Sequence, residues 1–264
     1  PRDYALIVRQ LANNFETEIK DEFAQKGLLV RNEARQIGDI ALQDLISEEF
    51  TKAFTSILRL CTSKRHPAAW RHAADMYTST RGIDPGNEAA QNSALKLLEN
   101  QIEQLKSWME RNDPTVDSGT ALAKKLIELL GEEEFKQTYP QYMHGDLLQL
   151  IVSSVTEFLS TCAEENESWA DVANLFEGTD SIPLMTIHRS KGLEFDTVIF
   201  IGLDDSSWWS YSTENPEGKA TFFVALSRAR QRAIFTYCTR RGNRQKISDL
   251  YELLKNADVP ESLR

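Results

Sequence analysis

At 264 residues, with 41% apolar and 27% charged side chains, the chain has room for one large or two modest globular domains and is neither fibrous nor disordered in composition. Thirty Lys and Arg against 40 Asp and Glu leave a formal charge of −10, which excludes a protein whose whole surface binds nucleic acid. No run approaches the roughly 18 apolar residues of a membrane span and no signal segment opens the chain, so no membrane partner is expected. The sequence opens on Pro1 rather than Met, as expected of a piece cut from a longer chain. Cys61, Cys162 and Cys238 are far apart and without metal-ligand spacing, and read as buried small hydrophobes in a reducing compartment. The histidines, His66, His72, His144 and His188, form no ligand pattern, and no metal site is expected.

The first predicted element is a short apolar strand, Tyr4 to Arg9, ending in a cation. Leu11, Phe15, Ile19 and Phe23 then recur at four-residue spacing, the stripe of an amphipathic helix, and Gly27 ends it in the manner of a C′ residue. Leu28 to Asn32 reads as a second strand. This opening has the length of one β–α–β crossover with parallel strands.

From about Leu42 to Asp180 the periodicity is helical and no convincing strand occurs. Helices are expected over about 42–62, 67–80, 87–111, 118–136, 145–163 and 166–176, broken at His66-Pro67, Asp84-Pro85-Gly86, Asn112-Asp113-Pro114 and Tyr139-Pro140. Asp117 or Ser118 is placed to cap the fourth. Trp70, Trp108 and Trp169 sit in these patterns as core residues. A bare β–α–β unit cannot bury both its faces, so the predicted layout is an insertion. Residues 1–41 and 181–264 form one discontinuous α/β domain, and 42–180 form a helical domain inserted into it. From Ile182 onward there are 12 Lys plus Arg against 10 Asp plus Glu; the preceding 181 residues hold 18 against 30. Any phosphate contact should therefore be local.

The chemistry concentrates in Ile182 to Asp205, which reads as polar loop, short helix and apolar strand. Thr197 to Leu203 is a continuous β-branched run, expected of a strand buried on both faces of a parallel sheet. Before it, His188, Arg189, Lys191, Gly192 and Glu194 share one turn. A cation, a glycine and exposed amides at a strand mouth suit an anionic ligand, and the nearby carboxylate suits a ribose hydroxyl. The same spacing equally describes a capped helix with solvated charges. A second dense segment, Phe222 to Cys238, delivers Arg228 on a helix, with Arg232 one turn later and Arg230 rotated away, before the strand-like run Ala233 to Cys238. An arginine so placed can reach a γ-phosphate; a basic solvated face is the competing reading.

With these residues stated, the family becomes recognisable. TIHRSKGLEFDTVIFIGL resembles motif V of superfamily 1A helicases, the UvrD/Rep/PcrA family, and FFVALSRAR resembles their motif VI. The opening residues resemble the start of the second RecA-like domain (2A), and the helical block stands where those proteins carry the 2B insertion. The resemblance implies an α/β RecA-like (P-loop NTPase-type) fold with a parallel sheet interrupted by a large all-α insertion. It implies that Arg228 contacts the ATP γ-phosphate and that Glu194, with Gly192 beside it, bonds the ribose. Thr186, His188 and Arg9 would contact single-stranded DNA, and Lys191 would link the two surfaces. Three departures stand out: Leu11 replaces a polar DNA-contacting residue, Phe223 a tyrosine and Lys219 an arginine.

No GxxxxGK[ST] occurs, and Asp21-Glu22-Phe23-Ala24 reads as a solvated helix face rather than a DExx box. The resemblance therefore implies the C-terminal half of a cytoplasmic ATP-dependent 3′-to-5′ DNA helicase, of the bacterial cytosol or nucleoid. Its P-loop, DExx box and Mg²⁺ ligands would lie in an N-terminal 1A/1B half, and the partners would be single-stranded or partly duplex DNA. On this reading the 264 residues alone hydrolyse ATP negligibly. The alternative is a catalytically inactive helicase-like module docking a nuclease or repair protein, as in anti-phage systems of the Gabija type.

Overall fold

A computed structural model of the chain describes residues 3–214 and 216–262; Pro1, Arg2, Asn215, Leu263 and Arg264 lie outside the described residues. The chain forms two compact units, 36–179 and a discontinuous one made of 1–35 and 180–264.

β1 (Tyr4–Val8) is buried from Ala5 onward. Successive side chains leave a strand on opposite faces, so Ala5 and Ile7 enter one core while Leu6 and Val8 enter another. α1 (Asn13–Ala24) covers the second face with Phe15, Ile19 and Phe23. It ends at Gly27 (φ 69°), whose N–H donates to the Ala24 carbonyl while Leu28 N–H donates to that of Phe23, a Schellman closure. Leu11, expected on the helical stripe, instead precedes the helix in a left-handed conformation (φ 56°) and is 63% exposed. That conformation costs an L-residue about 1–2 kcal/mol. β2 (Leu29–Asn32) follows.

A hairpin of β3 (Gln36–Ile37) and β4 (Ile40–Ala41) opens the helical unit. The sequence placed these six residues with the α/β part. The buried Ile37 joins the helical core, and its carbonyl accepts from Ser154 Oγ at 3.3 Å, which ties the hairpin there. α2 (Leu42–Ser47) and α3 (Glu49–Thr62) replace one predicted helix, the chain turning at Glu48, which is extended. α4 (Pro67–Thr80) starts with Pro67 in its first turn and the His66 ring accepting from Ala69 N–H; α5 (Glu88–Met109) is capped by Asn87. α6 (Val116–Leu130) is capped by Thr115, with Ser118 closing the box from the third position, rather than by Asp117 or Ser118 themselves. Gly131 (φ 80°) separates α6 from α7 (Glu132–Thr138), which the sequence had merged. α8 (Leu147–Glu164) and α9 (Trp169–Glu177) complete one core of which Phe50, Phe54, Leu126, Ile151, Leu159 and Phe176 are fully buried members. Trp70, Trp108 and Trp169 pack against it half-buried. Arg59 ties α3 to α9 by donating to the Glu177 carboxylate and to Asn174 Oδ1.

The chain then returns to the sheet through β5 (Ser181–Thr186), β6 (Phe195–Ile201), α10 (Pro216–Leu226), β7 (Ala229–Phe235) and α11 (Ser248–Asn256). The order is β2-β5-β1-β6-β7 and every pairing is parallel, a RecA-like α/β sheet. β5, read from sequence as loop, is the strand between β2 and β1. β6 is covered on both faces as expected, with Val198 and Phe200 in one core and Ile199 and Ile201 half-buried against the other. β7 is an edge strand that starts four residues earlier than predicted and ends at Phe235. Cys238, expected to be buried, is exposed beyond it.

Candidate functional site

Because all five strands run the same way, their C-terminal ends share one edge of the sheet and their N-terminal ends the other. A seven-residue strand such as β6 separates these edges by about 23 Å. The sequence-derived candidates divide between them.

At the C-terminal edge, Val8 pairs with Thr186, and Ile187 N–H donates to the Val8 carbonyl at 2.9 Å. Arg9 and His188, which follow these residues, therefore emerge side by side. Both line a cavity of about 190 Å³ together with Ser210, Glu217, Gly218 and Thr221. Arg9 donates to Ser210 Oγ (2.8 Å) and to the Ser207 carbonyl (3.4 Å), and its guanidinium lies 4.7 Å from the Trp208 ring centroid. Burial pulls Arg9 below its ordinary value, with Glu217 opposing. The loop after β6 is folded by Asp204, whose carboxylate accepts from Ser206 Oγ (2.6 Å) and Ser207 N–H (2.8 Å). Gly202 (φ 80°) permits it, since a Cβ there would stand 2.6 Å from Ser207 Oγ. This loop buries Trp208 and leaves Trp209 62% exposed over a second cavity of about 210 Å³, shared with Arg9, Leu11, Phe15 and Arg241. Trp209 was missed by the sequence reading. A WW pair flags one surface aromatic, but only the loop geometry says which one.

At the N-terminal edge, Glu194 precedes β6 and Arg228 precedes β7, and Phe195 N–H donates to the Arg228 carbonyl at 2.8 Å. Arg228 is not on the helix as expected. α10 ends at Leu226, because pairing with β6 has already claimed Ala229, so Arg230 and Arg232 are strand residues. The Arg228 side chain donates to the carbonyls of Val224 (3.1 Å), Leu193 (3.0 Å) and Ser190 (3.4 Å) and to Ser227 Oγ (2.9 Å). Lys191, Gly192 (φ 85°) and Glu194 are exposed beside it.

Between β5 and β6 the chain passes from one edge to the other in only the eight residues 187–194, a much shorter connection than the dozen or more residues usual between parallel strands. The expected short helix is absent; the segment is a string of turns. The buried Ser190 anchors it, its N–H on the Thr186 carbonyl (3.0 Å) and its Oγ on that of Ile187 (2.7 Å), and Leu193 N–H returns to Ser190 (3.0 Å). Among the described residues no group of three or more His, Cys, Asp or Glu could hold a metal.

Fold and edges together define a RecA-like lobe with Arg9, His188 and Glu217 around a pocket at one edge of its sheet and with Arg228 and Glu194 on adjoining turns at the other. The family model of the UvrD-like helicase C-terminal domain matches residues 1–240, and the chain belongs to that family. It is 24% identical over 225 residues to the ATP-dependent DNA helicase Rep of Salmonella typhimurium, covering 81% of this chain and 31% of that protein. It is 36% identical over 78 residues to Rep of Buchnera aphidicola subsp. Acyrthosiphon pisum, covering 28% and 12%. It is 37% identical over 98 residues to PcrA of Leuconostoc citreum, covering 36% and 11%. The chain thus spans less than a third of the length of each of these curated relatives.

Proposed function

We propose that the chain is the second motor lobe, with its helical insertion, of an ATP-dependent 3′-to-5′ DNA helicase or translocase whose P-loop, DExx box and Mg²⁺ ligands lie outside these 264 residues. The relatives named above are ATP-dependent DNA helicases. The observation that carries the reading is the eight-residue connection 187–194, which has His188 at the C-terminal edge of the sheet and Glu194 beside Arg228 at the N-terminal edge.

On this reading Arg228 swings from the carbonyls it now holds to the γ-phosphate presented by the opposing lobe. It stabilises the charge that develops there, which is what an arginine finger supplies. Glu194 accepts a bond from the ribose, and Gly192, lacking a Cβ, leaves room for it. Lys191 sits midway along the connection. A shift of the Arg228 carbonyl partners Ser190 and Leu193 is carried to Thr186 and Ile187, next to His188, through the bonds of Ser190. Arg9, Thr186 and His188 hold the DNA backbone, and Trp209 offers a face on which a base stacks.

Two experiments test this. In the full-length protein, Arg228→Ala should lower ATP turnover about 10³-fold or more while single-stranded DNA binding stays within about twofold. ATPase retained with DNA binding lost would overturn the assignment of roles. With this chain alone, Arg9→Ala and His188→Ala should each weaken binding of a fluorescent single-stranded oligonucleotide about tenfold, and Trp209→Ala comparably.

A second reading, a non-hydrolysing module docked to a nuclease or repair protein, is favoured by one observation. The helical unit holds 12 Lys plus Arg against 23 Asp plus Glu, a surface suited to a basic protein partner. ATP turnover by the full-length protein would exclude it.

A further inference from the structure

Arg230 is not needed by the reading above, yet its placement is unusual. β6 and β7 pair Phe195 with Ala229 and then Thr197 with Arg232, so β7 carries one extra residue, a bulge, at Arg230–Gln231. Bulges re-aim a side chain out of the regular alternation and concentrate beside active sites. Here the re-aimed side chain reaches across to the turn, with Arg230 Nε 3.2 Å from Glu194 Oε2. Two residues earlier, Arg228 holds the Ser190 and Leu193 carbonyls of the same turn. Strand β7 thus grips residues 190–194 at two points, one on the backbone and one on the Glu194 carboxylate.

We propose that Arg230 is a positioning residue that orients the Glu194 carboxylate for a ribose hydroxyl, so that sugar recognition depends on the β7 bulge. This rests on the ribose assignment of Glu194 made above. Glu194 accepts from a hydroxyl with one oxygen while Arg230 fixes the other. Without Arg230 the exposed carboxylate samples several rotamers, and the hydroxyl no longer finds it in place. The pair is exposed, 60% and 55%, so its influence is modest and falls with salt.

The test uses the full-length protein, single-stranded DNA at saturation and three substrates: ATP, 2′-deoxyATP and 3′-deoxyATP. In the wild type, loss of the contacted hydroxyl should raise KM. Arg230→Ala should raise KM for ATP about 2- to 5-fold with kcat held within twofold, and should bring the deoxy-to-ribo KM ratio close to one. Arg230→Lys should restore much of the ratio, and Glu194→Ala should abolish it. Added salt should lower the wild-type ratio and leave that of Arg230→Ala unmoved. A ratio lost in Glu194→Ala but intact in Arg230→Ala would overturn the positioning role and leave the ribose reading standing. A ratio untouched by Glu194→Ala would sink both.

Discussion

Single side chains in this protein take their chemistry from where the backbone puts them, and the three cysteines show it. Cys61 and Cys162 are buried in the helical core, whereas Cys238 stands exposed past the end of β7. Burial pushes the Cys61 thiol up to about 12, so almost no thiolate exists there at neutral pH. A maleimide reagent under native conditions should therefore label one thiol per chain, and Cys238→Ser should abolish that labelling. Fast modification of two or more thiols, read by intact mass, would contradict the burial. The sign for stability follows from the same shift. An acid whose folded pKa is raised favours folding fully below its unfolded value near 9 and progressively less as pH climbs towards 12. Denaturation midpoints should fall over that window, and less steeply in Cys61→Ala. Spacing alone read all three cysteines as buried, because apolar neighbours in sequence do not reveal that β7 is an edge strand. The same blindness put Leu11 on a helix it precedes.

At the scale of elements, what the sequence revealed depended on whether local periodicity or pairing decides the structure. The long helices were legible because their stripes of Leu, Ile and Phe at three- and four-residue spacing are local signals. Their splits at Glu48 and Gly131 were not, since both residues sit inside continuous stripes. β5 was lost because Ser181–Thr186 is short and contains Pro183, which speaks against an interior strand; only pairing with β1 and β2 makes it one. Arg228 was legible as a candidate from its motif but not as a turn residue, because its position is fixed by the pairing of Ala229 with Phe195. Close packing of α6 on α8 was equally hidden. A Cβ at Gly119 would lie 2.8 Å from the Ser160 backbone and 2.9 Å from Ala163 Cβ, so this glycine sets how closely the helices approach. Gly119→Ala gains helix propensity of about 1 kcal/mol but must push the pair apart. We expect the clash to win, with a net loss of about 1–2 kcal/mol in urea titration, and Gly119→Val to lose more. A stabilised Gly119→Ala would show that the contact yields cheaply.

Over the whole molecule, charge and cores divide along the boundary between the two units. Residues 36–179 carry 12 basic against 23 acidic side chains, while the α/β unit carries 18 against 17. The helical core shares no residue with the two cores that flank the sheet. The chain leaves the sheet after Arg35 and returns at Asp180, between strands that are immediate neighbours. Leu29 pairs with Ser181, so a bridging segment has only to travel back along β2 and cross one strand spacing. A crossover of about a dozen residues suffices for that. We therefore expect residues 36–179 to be replaceable by a flexible linker of about twelve residues, leaving a lobe within the usual size range of one domain. Arg9, Thr186, His188 and Trp209, the residues proposed to hold DNA, all belong to the retained unit, so on that proposal the shortened protein should unfold cooperatively and keep the parent chain's affinity for a single-stranded oligonucleotide within about threefold. Calorimetry of the intact chain should correspondingly resolve two transitions, one of which disappears on excision. A molten or aggregated product would mean that the sheet needs the insertion to fold. A folded product that no longer binds DNA would move the DNA contacts onto the acidic helices, against the sign of their charge.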